Sequence, residues 1–158
     1  MSAAAKVGIL IGSESDRDVM SEAVRVLDRF GVQSEMRVLS AHRAPEAVRD
    51  YARGARDRGI GVLICGAGMA AHLAGAVAAS STLPVLGVPL SAGALAGLDA
   101  LLSTVQMPAG VPVGTLAIGK AGAVNAAVLS VQILSLGDPA LARKLDELKE
   151  SLARGESL

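Results

Sequence analysis

The sequence has very few aromatic residues and very few residues that suit a metal. Its 158 residues include one Phe, one Tyr and no Trp, which argues against a site that stacks a flavin or a nucleobase on aromatic rings. Two His and one Cys, in no metal-type spacing, do not match a zinc site. The single Cys leaves no partner for an internal disulfide, and this fits the reducing cytoplasm. We expect a cytoplasmic protein without a metal.

Charged residues are scarce and unevenly distributed. The chain has 15 basic and 15 acidic residues, so its net charge is zero and it lacks the basic stripe of a nucleic-acid-binding protein. Charged residues make up 19% of the chain, against about 25% in a typical domain. Between residues 59 and 137 only Asp99 and Lys120 are charged, and a lone domain of this size has too small a core to cover that stretch.

Two kinds of surroundings can cover a stretch with so little charge, a membrane or another subunit. Gly, Pro, Ser and Asn interrupt the apolar runs, and none reaches the ~20 residues of a spanning helix. Residues 1–5 are also too short for a signal peptide, since a strand-like run starts at Lys6. We therefore expect a large apolar interface between subunits, and neither a membrane nor a nucleic acid as partner.

Short apolar runs alternate with helical patterns along the chain. The predicted strands span residues 6–12, 34–39, 61–65, 85–88 and 113–118, and the predicted helices span residues 16–30, 45–58, 70–80, 98–105, 121–136 and 138–154. This alternation predicts parallel βαβ units with helices on both faces of one sheet. We expect a single domain over residues 1–158, with a core at about 6–136 and a C-terminal helix at about 138–154.

Local signals support several of these boundaries. Gly31 is expected to end the first helix, and Asp138 followed by Pro139 has the pattern of a helix N-cap and first turn. The last helix repeats leucine at the spacing of one helix face, which predicts that its leucines form a single stripe. Its members are Leu141, Leu145, Leu148 and Leu152.

Polar or glycine-rich segments follow the first three predicted strands. They are Gly12–Asp16, Ser40–Pro45 and Gly66–His72. Parallel α/β sheets bind ligands beyond the carboxyl ends of their strands, near the point where the strand order reverses. Both histidines of the chain lie in these segments, so we expect the functional site there.

The first two segments have both a functional and a purely structural interpretation. Backbone N–H groups where Gly12–Asp16 meets a helix suit a phosphate, but Ser15 and Asp18 also have the spacing of a capping box. His42 suits proton transfer near neutral pH, and the neighbouring Arg43 offers a fork for a phosphate. The alternative for that segment is a solvated surface loop.

The third segment is less specific. Gly66–His72 lacks a third well-placed glycine, so it is a weak dinucleotide motif. His72 either contacts a ligand, caps a helix or faces an interface. Cys65, at the end of the third strand, is expected to be an inert buried thiol.

Several long segments, in order, resemble class I PurE, the 5-(carboxyamino)imidazole ribonucleotide mutase family. The matching segments are GSESD (12–16), SAHRAP (40–45), GAGMAAHLAG (66–75), PVLGVP (84–89) and LDALLSTVQMPAGVPVGTLAIGKAGAVNAA (98–127). The resemblance covers residues 7–136. It implies a flavodoxin-like three-layer sandwich with a central parallel sheet, assembled as a homo-octamer. It also implies a cytoplasmic isomerase of purine biosynthesis that uses no metal, ATP or organic cofactor.

The resemblance further implies roles for individual residues. His42 matches the catalytic histidine. The residues expected to bind the ribonucleotide are Ser13, Ser15, Asp16, Ser40, Arg43, Gly68, Ala70 and His72, together with the segment after Pro89. Met69 stands where the family usually has Gly, and Ala74 where it usually has Pro, so the shape of this loop departs from the family pattern.

The implied reaction interconverts 5-(carboxyamino)imidazole ribonucleotide and 4-carboxy-5-aminoimidazole ribonucleotide. One histidine, His42, is expected to give the first proton and take the last. His72 is expected in the first turn of a helix, where the dipole disfavours an imidazolium. Two alternatives stay open: an aminoimidazole ribonucleotide carboxylase that uses free carbon dioxide, and a non-enzymatic flavodoxin-like binding module.

Overall fold

Five parallel strands form one sheet in the order β2-β1-β3-β4-β5. The structure, a computed structural model, describes residues 6–158, so the expectation for residues 1–5 lies outside the described residues. The strands are β1 (Lys6–Ile11), β2 (Ser34–Val38), β3 (Ile60–Gly68), β4 (Val85–Leu90) and β5 (Gly114–Thr115). This strand order is that of flavodoxin-like folds, and it reverses between β1 and β3. The predicted fold class is confirmed.

Six helices cover the two faces of the sheet. They are α1 (Arg17–Phe30), α2 (Pro45–Arg53), α3 (Leu73–Ala78), α4 (Leu98–Val105), α5 (Lys120–Ser135) and α6 (Pro139–Ala153). Successive side chains of a strand point to opposite faces, so the buried strands supply two cores. Val7, Ile9 and Ile11 join the core that contains residues of α1, α5 and α6, whereas Leu10 joins the core that contains residues of α2 and α3.

The ends of the helices follow local signals. Gly31 has a left-handed φ of 73° and its N–H bonds to the last carbonyls of α1, as the sequence predicts. The Asp138 side chain accepts from the N–H groups of Ala140 and Leu141, so it caps α6. Within the predicted leucine stripe of α6, Leu145 and Leu148 are buried, whereas Leu152 is 43% exposed. Ser151 is the buried residue of the last turn.

Three predicted strands have the wrong length. The third and fourth strands run on to Gly68 and Leu90, because both continue the same ladder at that end. The fifth strand shrinks to two residues paired with Leu86 and Gly87. Pro89 follows in β4 and has no N–H to donate, so the ladder toward β5 ends there.

Two predicted helices are shorter than expected. The second helix stops at Arg53, and a separate 3₁₀ turn spans Arg56–Arg58. The third helix starts only at Leu73, because the three preceding residues form tight turns. By contrast, α4 has the predicted limits, Leu98–Val105. None of the helices among residues 6–158 is both long and apolar enough to cross a membrane.

Candidate active site

A cavity of about 570 Å³ lies at the carboxyl ends of β1 and β3, where the strand order reverses. The three polar or glycine-rich segments supply almost all of its lining, and Ala92 comes from the loop after β4. The structure brings all nine predicted site residues to this one cavity. They are Ser13, Ser15, Asp16, Ser40, His42, Arg43, Gly68, Ala70 and His72. Of the segment after Pro89, Ala92 alone reaches the lining.

The first segment enters α1 through a 3₁₀ turn, Glu14–Asp16. Ser13 is the N-cap of this turn: its Oγ accepts from the Ser15 N–H at 3.4 Å, and Asp16 Oδ2 accepts from the Ser13 N–H at 3.0 Å. The alternative interpretation, a capping box of Ser15 and Asp18, is therefore wrong. The chain begins to turn two residues earlier, which makes Ser13 and Asp16 the reciprocal pair.

The Asp16 carboxylate sits at the cavity wall, half-buried. Burial raises the pKa of Asp16, and the bond from the Ser13 N–H lowers it again in part. Because Oδ2 already accepts this bond, Oδ1 is the oxygen placed to accept from a hydroxyl group of a ligand. The hydroxyl oxygens of Ser13 and Ser15 lie 3.0 Å apart. Together with the Asp16 carboxylate, they give this end of the cavity three short polar side chains.

Arg43 ties the second segment to the first. Its guanidinium donates to the Gly12 carbonyl at 3.2 Å, and its backbone N–H donates to Ser40 Oγ at 3.3 Å. One of the five guanidinium N–H donors is thereby used, and the side chain is otherwise exposed at the cavity. Arg43 is thus already anchored beside Ser13 and Ser15, with donors left for an anion.

The two histidines of the chain are in direct contact. His42 Nε2 and His72 Nδ1 are 2.7 Å apart, and the rings meet edge to face with centroids 4.8 Å apart. One hydrogen lies between the two nitrogens, so one ring donates while the other accepts. The two rings therefore form one hydrogen-bonded pair at the cavity.

The predicted place of His72 in the first turn of a helix is wrong, because His72 precedes the first residue of α3, which has only six residues. Its ring instead contacts the His42 ring. Sequence reasoning missed the pair because the two residues are 30 positions apart and follow different strands.

Met69 has an unusual backbone conformation for its residue type. Its φ is +53°, in the left-handed region that glycine adopts without strain. The family pattern implied by the resemblance has Gly at this position, and the left-handed backbone is a physical reason for it. The side chain is 58% exposed and approaches Gly93. Ala74, in contrast, is buried in the first turn of α3, a position at which Pro is also compatible with a helix.

Metal-binding or thiol chemistry has little support in the rest of the site. Within residues 6–158, no three His, Cys, Asp or Glu side chains are grouped closely enough to hold a metal ion. Cys65 is 2% exposed, and burial raises the pKa of its thiol. The expected burial of Cys65 is confirmed, and its inertness stays a prediction that the raised pKa supports.

Comparisons with known proteins agree with the geometry. The model of the family described as AIR carboxylase matches residues 6–155. A Bacillus subtilis protein named N5-carboxyaminoimidazole ribonucleotide mutase is 58% identical over 92% of this chain and 90% of its own length. A Mycobacterium tuberculosis protein of the same name is 53% identical over 94% of this chain and 84% of its own. The crystal structure of Treponema denticola PurE superposes with a TM-score of 0.85 at 29% identity, covering 94% of this chain and 92% of that one.

Proposed function

The chain belongs to the AIR carboxylase family, and we propose that it is an N5-carboxyaminoimidazole ribonucleotide mutase, an isomerase of purine biosynthesis. Relatives of that name are 52–58% identical to this chain over at least 90% of its length. The observation that carries the proposal is the convergence of His42, Arg43 and the serines on one cavity at the switch point of the sheet. No cofactor is needed for the reaction.

The cavity offers a distinct set of groups to each part of the ribonucleotide. The phosphate lies between Arg43, Ser13, Ser15 and Ser40, since a guanidinium fork and short hydroxyls suit its oxygens. Asp16 Oδ1 accepts from a ribose hydroxyl. The imidazole and its carboxyl group then lie toward the loop of Gly68, Ala70 and His72, and so next to His42. These residue roles are part of the proposal.

His42 supplies both proton transfers. Protonated His42 gives a proton to the exocyclic nitrogen as the bond from that nitrogen to the carboxyl carbon breaks, which releases carbon dioxide and aminoimidazole ribonucleotide. The ring carbon C4 then attacks the carbon dioxide and forms the new carbon–carbon bond. Neutral His42 removes the proton that C4 still carries, so the enzyme returns to its starting state.

The walls near His42 favour retention of the carbon dioxide. Small or apolar side chains line this part of the cavity, namely Ala41, Ala67, Ala70, Leu73 and Ala92. They offer carbon dioxide no competing nucleophile, and with substrate bound they leave little room for water. The intermediate is thereby held beside the ring carbon that it must meet.

The experiment that tests the function supplies N5-carboxyaminoimidazole ribonucleotide as the only substrate. We expect its conversion to the 4-carboxy product without ATP. A carboxyl-labelled substrate in an excess of unlabelled bicarbonate distinguishes the carboxylase alternative: a mutase keeps the label, whereas an enzyme that uses free carbon dioxide loses it. The binding-module alternative predicts ligand binding without turnover, and that result would overturn the proposal.

The assembly and location form the second part of the proposal. The enzyme works as a cytoplasmic homo-oligomer, and by its resemblance to class I PurE as an octamer. Large apolar side chains that stay exposed in the single chain support an interface. Those within residues 59–137 are Met69, Leu95, Leu98, Leu102, Val105, Ile118 and Leu136.

A further inference from the structure

Ser103 connects helix α4 to the loop that carries His72. Its Oγ lies 3.0 Å from the Ala71 nitrogen and 2.8 Å from the Asp99 carbonyl oxygen. A hydroxyl group has one hydrogen to donate. Ser103 therefore accepts from the Ala71 N–H and donates to Asp99 one turn earlier in its own helix. The side chain spans from α4 to a loop 32 residues away and does not line the cavity.

The position of Ala71 depends on the hydrogen bond to Ser103, because the hydrogen bonds within the loop join residues only two positions apart. The Ala71 N–H also approaches the Met69 carbonyl at 2.9 Å, and the His72 N–H approaches the Ala70 carbonyl at 2.8 Å. Both are three-residue turns, a tight geometry for a hydrogen bond. Ala71 is only 2% exposed, so water is a poor substitute partner. Ser103 is the partner that holds Ala71 from outside the loop.

We propose that Ser103 is a positioning residue for the reaction, a role that rests on the proposed function. It fixes Ala71, the residue before His72, and His72 Nδ1 lies 2.7 Å from His42 Nε2. Through this chain of contacts Ser103 sets where His72 meets His42. Arg43 and Ser13 hold the phosphate end from other segments and make no contact with Ser103, so Ser103 affects the chemical step more than substrate binding.

Three variants test this role. Ser103→Ala removes the acceptor and keeps a good helix former, and Ser103→Thr keeps the hydroxyl. Ser130→Ala is the matched control, because Ser130 Oγ is a helix hydroxyl that donates to the Ala126 carbonyl at 2.8 Å within α5. We expect Ser103→Ala to lower kcat about 10-fold with KM within about threefold, since small displacements of reacting groups are costly. Ser103→Thr restores most of kcat, and Ser130→Ala leaves it unchanged.

A second readout does not need turnover. The chain has two histidines, so selective ¹⁵N labelling of histidine rings gives an NMR spectrum of His42 and His72 alone. Ser103→Ala shifts the ring signals of both, and Ser130→Ala leaves them in place. Unchanged ring signals together with a kcat within twofold of the wild type would overturn the positioning role, as would equal losses in Ser103→Ala and Ser103→Thr. An inactive wild-type protein overturns the proposed function instead, and the ring signals then still test the positioning.

Discussion

At the scale of single residues, the proposed proton shuttle is His42, whose Nε2 lies 2.7 Å from His72 Nδ1. We expect His42→Asn to lower turnover about 10²- to 10⁴-fold, toward the upper end, because one general acid–base group serves two steps. Substrate binding stays close to that of the wild type, since Arg43 and the serines are intact. Turnover and binding by direct titration are the measurements.

His72→Asn is the matched control for His42→Asn. Asn at position 72 still offers a polar partner to the His42 ring, so we expect a smaller loss of turnover than for His42→Asn. The assignment of the proton shuttle to His42 is wrong if His72→Asn proves the more damaging variant, or if His42→Asn keeps near-normal turnover.

Met69 provides a test of backbone strain at the edge of the site. A non-glycine residue in the left-handed region costs about 1–2 kcal/mol, and glycine loses about 0.5–1 kcal/mol more chain entropy on folding. With φ at +53°, Met69→Gly is expected to raise the free energy of unfolding by up to about 1 kcal/mol. Urea unfolding at a fixed protein concentration measures the change.

Met69→Ala separates the backbone effect from the side chain. It keeps a Cβ at the strained position and removes the bulk beside Gly93, so no comparable rise in stability is expected. Equal stabilisation by Gly and Ala would show that the side chain, and not the left-handed backbone, is the source. Comparing the turnover of the two variants also reveals whether the bulk of Met69 restricts the cavity.

At the scale of elements, Asp138 is expected to stabilise the protein as the N-cap of α6. Asp138 Oδ1 accepts from Ala140 N at 2.9 Å and from Leu141 N at 3.4 Å. Asp138→Ala leaves these N–H groups to water, and loss of such a cap costs about 0.5–2 kcal/mol. Asp138→Asn keeps an acceptor and is expected to stay near the wild type. Equal urea midpoints for the Ala and Asn variants would contradict the capping role.

The elements that the sequence predicts well have strong local signals. The limits of α4 and the end of α1 at Gly31 agree with the structure, because helix periodicity and capping residues act within a few positions. The strand ends agree less well. The length of β3 depends on β4 beside it, and β5 is short because Pro89 in β4 lacks a donor. The residues of a strand do not show which strand lies beside it, so the ends of β3 and β5 could not be predicted.

In the candidate site, the residues could be predicted from the sequence, but the contacts between them could not. Every predicted site residue lies at the cavity, because the rule that ligands bind at the carboxyl ends of parallel strands needs only the order of elements. The contacts between segments could not be predicted in this way. The bond from Ser103 to Ala71 and the contact of His42 with His72 depend on how α4 and the loops sit on the sheet.

At the scale of the whole molecule, the charge-poor stretch leaves several large apolar side chains exposed. One face of α5 is buried in the subunit's own core through Ala123, Ala126, Ala127 and Val131. Helix α4 behaves differently: Ala100 and Thr104 face inward, while its other face stays exposed. Contiguous apolar surface of this kind is typical of subunit interfaces.

The exposed face of α4 gives the test of assembly. Leu98, Leu102 and Val105 are each about half exposed and recur at positions i, i+4 and i+7, so they form one apolar stripe. Leu102→Asp places a charge in the proposed interface, where an unpaired ion costs several kcal/mol. In the separated chain the same side chain stays in water, so the fold tolerates it. We expect light scattering at micromolar concentration to show an oligomer for the wild type and a smaller species for Leu102→Asp.

The control adds the same charge outside the stripe. Gln33 is exposed in the turn between α1 and β2, in a part of the chain with ordinary charge content. Gln33→Asp should therefore keep the wild-type mass, which separates burial at an interface from a general effect of net charge. A wild-type protein that is monomeric at micromolar concentration contradicts the assembly itself. A Leu102→Asp protein with the wild-type mass would instead place the interface on other apolar residues of the stretch, because an unpaired carboxylate is not retained in a packed apolar contact.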